Sequence, residues 1–241
     1  MIDFKTFKNA SVIALGLTLC GFFPGFYYYQ AKMNNRTVSV KGLAEMDVEA
    51  DLAVWTIKFK TTGNVLQNVQ NKLEKDRQSI ISFLNDKGFA DEEITESVII
   101  TNDLMTNPYR DTNNISSRYI LSQTITVRTH KVDEIALALK DMASLISQGI
   151  VFDNPEYGSP VSYLFTKLNN IKPQMLEKAT QNAKQAADEF AKSSNSQLGK
   201  IKTASQGVFS ILPREETPNA SESEQVFKKI RVVSTVQYFL D

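Results

Sequence analysis

Between Leu52 and Lys60 the chain alternates. Ala53, Trp55, Ile57 and Phe59 are apolar, whereas Thr56, Lys58 and Lys60 are polar. Side chains of a strand point to opposite faces in turn, so this stretch predicts a strand with one buried and one wet face. A shorter strand precedes it at Thr37–Gly42, with Val38 and Val40 on its apolar side. A sheet built on these two strands must be covered, and the rest of the chain supplies helices with apolar stripes.

The first such helix is expected from Asn64 to Lys87. Val65, Val69, Leu73, Ile80 and Leu84 recur at helical spacing, with Asp76 interrupting the stripe. Asn64 is suited to cap it, with Gln67 three residues on, and Gly88 to end it. Val98, Ile100, Asn102 and Leu104 read as a strand, followed by a polar loop over 107–117. Tyr119, Leu121, Ile125 and Val127 share one face of the next strand, with Gln123 as the exception. Val132, Ile135, Ala136, Leu139, Met142, Ala143 and Ile146 then predict a second helix, closed by Gly149.

Ile150–Phe152 and Val161–Phe165 suggest a hairpin turning through Pro155–Pro160. Pro173 suits the first turn of a third helix running to about Gln197, because its missing N–H has no partner to lose there. That helix carries Met175, Leu176, Ala179, Ala183, Ala186, Ala187 and Phe190 on one stripe. Ile201–Ile211 reads as strand, Pro213–Gln225 as a mobile loop and Ile230–Leu240 as the last strand. The expected architecture is α+β: hairpins alternating with three helices, in mainly antiparallel or mixed sheets with helices packed on one face.

The run from Ala10 to Tyr29 has no charge, with Lys5 and Lys8 before it and Lys32 and Arg36 after it. As a helix it would rise about 30 Å, the thickness of a bilayer's hydrocarbon core. Tyr27, Tyr28 and Tyr29 stand where aromatic rings favour the interface. The expectation is an N-terminal transmembrane helix, an uncleaved signal anchor over 10–31. It leaves residues 1–9 cytoplasmic and the remainder outside the inner membrane. A cleaved signal peptide is the alternative, although no small-residue cleavage site follows the run.

Chemistry is sparse. Lys+Arg and Asp+Glu both number 27, so no net field attracts nucleic acid. His130 is the sole histidine, and Cys20 lies inside the apolar run. A Ser-His-Asp or Cys-His device would have to use His130, which reads as a solvated or capping residue at a strand-to-helix junction beside Lys131, and zinc lacks a ligand set. No dinucleotide, phosphate-loop or nucleophile-elbow motif occurs. Asp91, Glu92, Glu93 and Glu96 read as a solvated connection; a hydrolase using Glu92 or Glu96 is the enzymatic alternative. Trp55 reads as core. The Asn-x-Ser/Thr triplets at Asn9, Asn35, Asn114 and Asn219 read as coincidence. No catalytic, cofactor-binding or metal-binding residue is assigned, and no cofactor is expected.

Several segments in order resemble the SIMPL-domain family, a domain of unknown function. These are Val38-x-Val40-x-Gly42-x-Ala44, then Asp51, then Tyr119-x-x-Ser122-Gln123-x-Ile125-x-Val127. Asn182–Ala191, Leu198–Ile201 and Gln206–Ile211 follow. The family often has Pro before the Asp, where this chain has Ala50. The resemblance covers 37–241 and implies an envelope protein facing the periplasm. Relatives include periplasmic immunogenic proteins, some of them ring- or channel-like homo-oligomers, stress-linked proteins, and a mammalian adaptor in kinase signalling. It implies a homo-oligomer with an unknown protein partner, a binding or scaffold role rather than an enzyme, and a cytosolic signalling adaptor as a further alternative.

Overall fold

A computed structural model describes residues 4–33, 36–106, 116–153, 159–215 and 221–241, with side chains of the first segment described from 13 to 29. The order of elements is α1 (Phe4–Met33), β1 (Thr37–Glu49), β2 (Leu52–Gly63), α2 (Leu66–Asp86), β3 (Ile94–Glu96), β4 (Ile100–Asp103), β5 (Tyr119–Thr129), α3 (Val132–Asp141), α4 (Ala143–Ser147), β6 (Val151–Phe152), β7 (Val161–Leu164), α5 (Leu168–Ser193), β8 (Leu198–Gln206), β9 (Ser210–Pro213) and β10 (Phe227–Leu240). The α+β class is as expected. The chain forms two compact units: one of 1–45, 172–210 and 231–241, the other of 46–171 and 211–230.

In the second unit, β2 and β5 pair antiparallel from Ala53↔Thr129 to Gly63↔Tyr119. They are the centre of a six-stranded sheet. The alternation that predicted β2 is its burial pattern: Ala53, Trp55 and Phe59 are fully buried. α2 covers them with Val69, Leu73, Ile80 and Leu84. The interruption at Asp76 is buried as well, and Lys72 Nζ neutralises it at 2.8 Å. Gln123, the exception on β5, is also buried and donates to the Ser97 carbonyl at 3.0 Å.

Several boundaries differ. The residue flanking α2 is Val65, without a side-chain cap; Asn64 instead accepts from the Arg118 N–H at 2.9 Å, tying the strand ends together. The second helix is interrupted at Met142, where the amide reaches back only to Leu139. Past the interruption Leu145 turns into the core and Ala143 and Ile146 are exposed, as is Ala136 before it. The expected hairpin over 150–165 does not form, because β6 and β7 both pair antiparallel with β2, one after the other along the same edge. Residues 154–158 between them, where the expected turn falls, lie outside the described residues. Val98 and Ile100 face solvent, and only Leu104 of that run is buried.

In the first unit, β10 runs between β1 and β8 and pairs antiparallel with β8. α5 begins at Leu168, earlier than expected, so Pro173 lies inside it. Its buried stripe is Met175, Ala179, Ala183, Ala187 and Ala191, a strict four-residue spacing. Phe190 points to solvent, and Leu176 and Ala186 are half-buried. Ala183 and Ala187 pack with Val40, Val236 and Tyr238. Small side chains let the helix sit close to the strands, and Gly42 sets how close. A Cβ there would lie 1.9 Å from the Ala179 carbonyl oxygen and 2.4 Å from the Ala183 nitrogen.

The uncharged N-terminal run lies within α1, a helix of 30 residues. Among the described residues, no helix is long and apolar enough to cross a membrane. Of the Asn-x-Ser/Thr triplets, Asn35, Asn114 and Asn219 lie outside the described residues, as does the side chain of Asn9. So does the middle of the expected mobile loop, 216–220. Its far end is anchored: the fully buried Lys228 donates to the Glu222 carbonyl at 2.6 Å and pairs with the Glu222 carboxylate.

Candidate functional site

Among the described residues, the first unit carries a well-formed concavity. It is a groove of ≈ 700 Å³ between α5 and β8. Leu176, Thr180 and Lys184 follow one another on the helix wall at four-residue spacing, beside the buried stripe. The floor comes from β8 and β10. Ile201 pairs with Tyr238 in the strand register, so both side chains share the face next to the helix. The helix covers Tyr238 but not Ile201, which stays 52% exposed. Register shifts between Gln237 and Tyr238 and between Tyr238 and Leu240 let the margin of the sheet bend here. Burial, reinforced by the negative Asp188, pushes the Tyr238 phenol up, so the ring keeps its proton at neutral pH. Lys184, Lys200 and Glu177 rim the opening.

The acidic residues singled out from the sequence form no comparable site. Glu92 is exposed on a 3-10 turn over Asp91–Glu93. Glu96 is ion-paired to Arg77 Nη1 at 2.9 Å, and a second carboxylate, Glu74, holds the same guanidinium. Glu93 is the engaged carboxylate. Burial opposes its charge, but the Thr129 hydroxyl, the Ala90 N–H at 2.9 Å and Lys131 outweigh that and hold it below the usual range. A carboxylate satisfied in this way fixes the β5–α3 corner and is poorly suited to move protons.

His130 stands at the expected strand-to-helix junction, its Nδ1 against the Asp51 carbonyl. A carbonyl only accepts, so Nδ1 carries the hydrogen. Asp51 itself accepts from the Thr166 N–H at 2.6 Å and hydroxyl at 2.8 Å. Cys20 is exposed on α1. Trp55 is core, as expected, with no part in the groove. Among the described residues, no three His, Cys, Asp or Glu side chains are grouped to hold a metal ion.

The segments of the opening strand acquire physical roles in this geometry. Val40 and Ala44 are buried, Gly42 admits α5, and Asp51 ties the start of β2 to Thr166. A family model, SIMPL, described as a protein of unknown function (DUF541), matches residues 38–238. The chain belongs to the SIMPL family. No curated protein matches it. Where SIMPL sequences often have Pro before the Asp, this member uses the Ala50 N–H to donate to the Val226 carbonyl at 2.8 Å, a bond Pro could not make.

Sequence reasoning missed the groove and the buried Lys228. Ile201 set between Lys200 and Lys202 was the available signal, since lysines flanking an apolar residue mark a margin strand.

Proposed function

We propose that this SIMPL protein is a membrane-tethered binding and scaffold module of the bacterial cell envelope. α1 is the single-pass inner-membrane tether, and the two units face the periplasm, self-associate and catalyse no reaction. The observation that carries the proposal is the surface of α1. Leu15, Leu17, Phe22 and Phe26 are all exposed, with Leu17 at 70%, and the apolar side chains are spread round the whole helix instead of forming one stripe. A helix apolar on every side is stable only in an apolar surrounding. The described side chains of α1 begin at 13, whereas the uncharged run begins at Ala10. Lys5 and Lys8 before the run favour a cytoplasmic N-terminus.

An alkaline-phosphatase fusion after Arg36 tests the topology. Activity, with the chain resisting carbonate extraction and its N-terminus intact by mass spectrometry, is the expected result. An inactive fusion overturns export and favours a cytosolic adaptor; an N-terminus trimmed beyond Tyr29 overturns the tether. Light scattering on a chain starting near Asn34 that shows monomer at every concentration rejects self-association. Turnover of an ester, peptide or phosphate substrate that is lost in Glu92→Gln or Glu96→Gln rejects the non-enzymatic reading.

A further inference from the structure

We propose that the groove between α5 and β8 takes an extended, acidic polypeptide segment, added as one more strand on β8. This rests on the reading of the chain as a binding module and names the chemistry of its partner. β8 ends the strand order β1–β10–β8, and its residues from Lys200 to Gln206 are exposed throughout. A margin strand of this kind offers its backbone to another chain.

α5 stands beside that margin as a wall that carries Leu176, and Ile201 and Tyr238 make an apolar floor. Residues two apart on an added strand would share the helix side of the sheet with Ile201, at intervals of about 6.6 Å. A strand laid there gains main-chain hydrogen bonds from β8 and packs alternate side chains between Ile201 and the α5 wall.

Charge selects among occupants. Lys184 from α5 and Lys200 from β8 both line the groove, against the single Glu177. A carboxylate-bearing peptide meets both lysines. A second copy paired through β8 would bring its own Lys200 towards this one, and like charges on facing strands destabilise the pair. A lipid chain would fill the floor yet leave the margin backbone unpaired.

The full chain, held in nanodiscs, is panned against a displayed library of random nonapeptides, and an enriched sequence is synthesised for fluorescence anisotropy. The expected consensus alternates apolar residues with Asp or Glu. Affinity should fall at least about tenfold in Lys184→Glu/Lys200→Glu and in Ile201→Asp, all exposed positions at which folding is retained and checked by circular dichroism. Lys75→Glu, in the other unit, should change nothing. A proline at the centre of the peptide should abolish binding, and added salt should weaken it. The proposal is overturned by no enriched family, by a basic consensus, or by binding indifferent to these variants. It is equally overturned if oleate competes with the peptide for the groove, or if the double lysine variant alters self-association instead. Loss of the tether in the fusion experiment would leave the peptide result untouched, so the two failures are distinguishable.

Discussion

Replacing Gly42 by alanine should destabilise the first unit by far more than one methyl group suggests. The added Cβ would meet the Ala179 carbonyl oxygen at 1.9 Å, the Ala183 nitrogen at 2.4 Å and the Ala183 Cβ at 2.8 Å. Two of these three are backbone atoms of α5, so no rotamer change removes the conflict. Ordinary contact begins at 3.4 Å, so the helix must retreat by about 1.5 Å at Ala179. Retreat loosens the packing of Ala183 and Ala187 on Val40, Val236 and Tyr238. Overpacking of this kind costs roughly 3 kcal/mol. Relief of glycine's entropy in a strand returns about 0.5–1 kcal/mol. The net loss of about 2–2.5 kcal/mol corresponds to a fall in Tm of roughly 4–10 °C, read by calorimetry on the full chain. A second variant isolates the cause. Ala183→Gly removes the 2.8 Å contact but neither backbone contact, and by itself costs about 1 kcal/mol in a helix. Gly42→Ala/Ala183→Gly should therefore be no more stable than Gly42→Ala. A Tm within 2 °C of the parent for Gly42→Ala, or full rescue by Ala183→Gly, would refute the reasoning.

Two other expectations concern the second unit. Glu222→Ala leaves the buried Lys228 with only the main-chain carbonyl, and because Glu222 is partly exposed the loss should be about 2 kcal/mol; Lys228→Met should be close to neutral, both by urea denaturation. A larger loss for Lys228→Met than for Glu222→Ala would contradict this. At Asp51, burial raises the carboxyl's pKa, but the Thr166 N–H and hydroxyl and Lys167 outweigh it, and the group is held below its usual range. Its contribution is then full above about pH 4 and is lost as pH falls through the lowered value. Asp51→Asn should cost about 2 kcal/mol at pH 7 and flatten the stability profile below pH 4; a profile as steep as the parent's would exclude Asp51 as its source.

Much of the second unit was legible from alternation alone. Trp55, Ile57 and Phe59 on β2 and Leu121, Ile125 and Val127 on β5 are buried as read, because strand period and one-sided burial are local properties. Gly88 and Gly149 end their helices with positive φ, again a local demand. The hairpin over 150–165 was misread because alternation tells which face is buried but not which strand is the partner, and β2 could pair with both pieces. The stripe of α5 was read one face too wide. Leu176 and Phe190 are apolar, but Leu176 lines the groove and Phe190 faces solvent, because only the four-residue row from Met175 to Ala191 rests on the strands.

The order of residues settled what each segment prefers: the period of β2 and β5, the spacing of alanines along α5, the uncharged run of α1 and the scarcity of histidine and cysteine. Those preferences arise between near neighbours and need no other part of the chain. Which segments meet was decided only in three dimensions. Gly42 is tight because α5 lies against β1, Lys228 is buried because Glu222 reaches it, and the groove exists because the sheet extends to β8 beyond the helix that covers it. Each of these depends on atoms many residues apart, held by packing that no local pattern encodes.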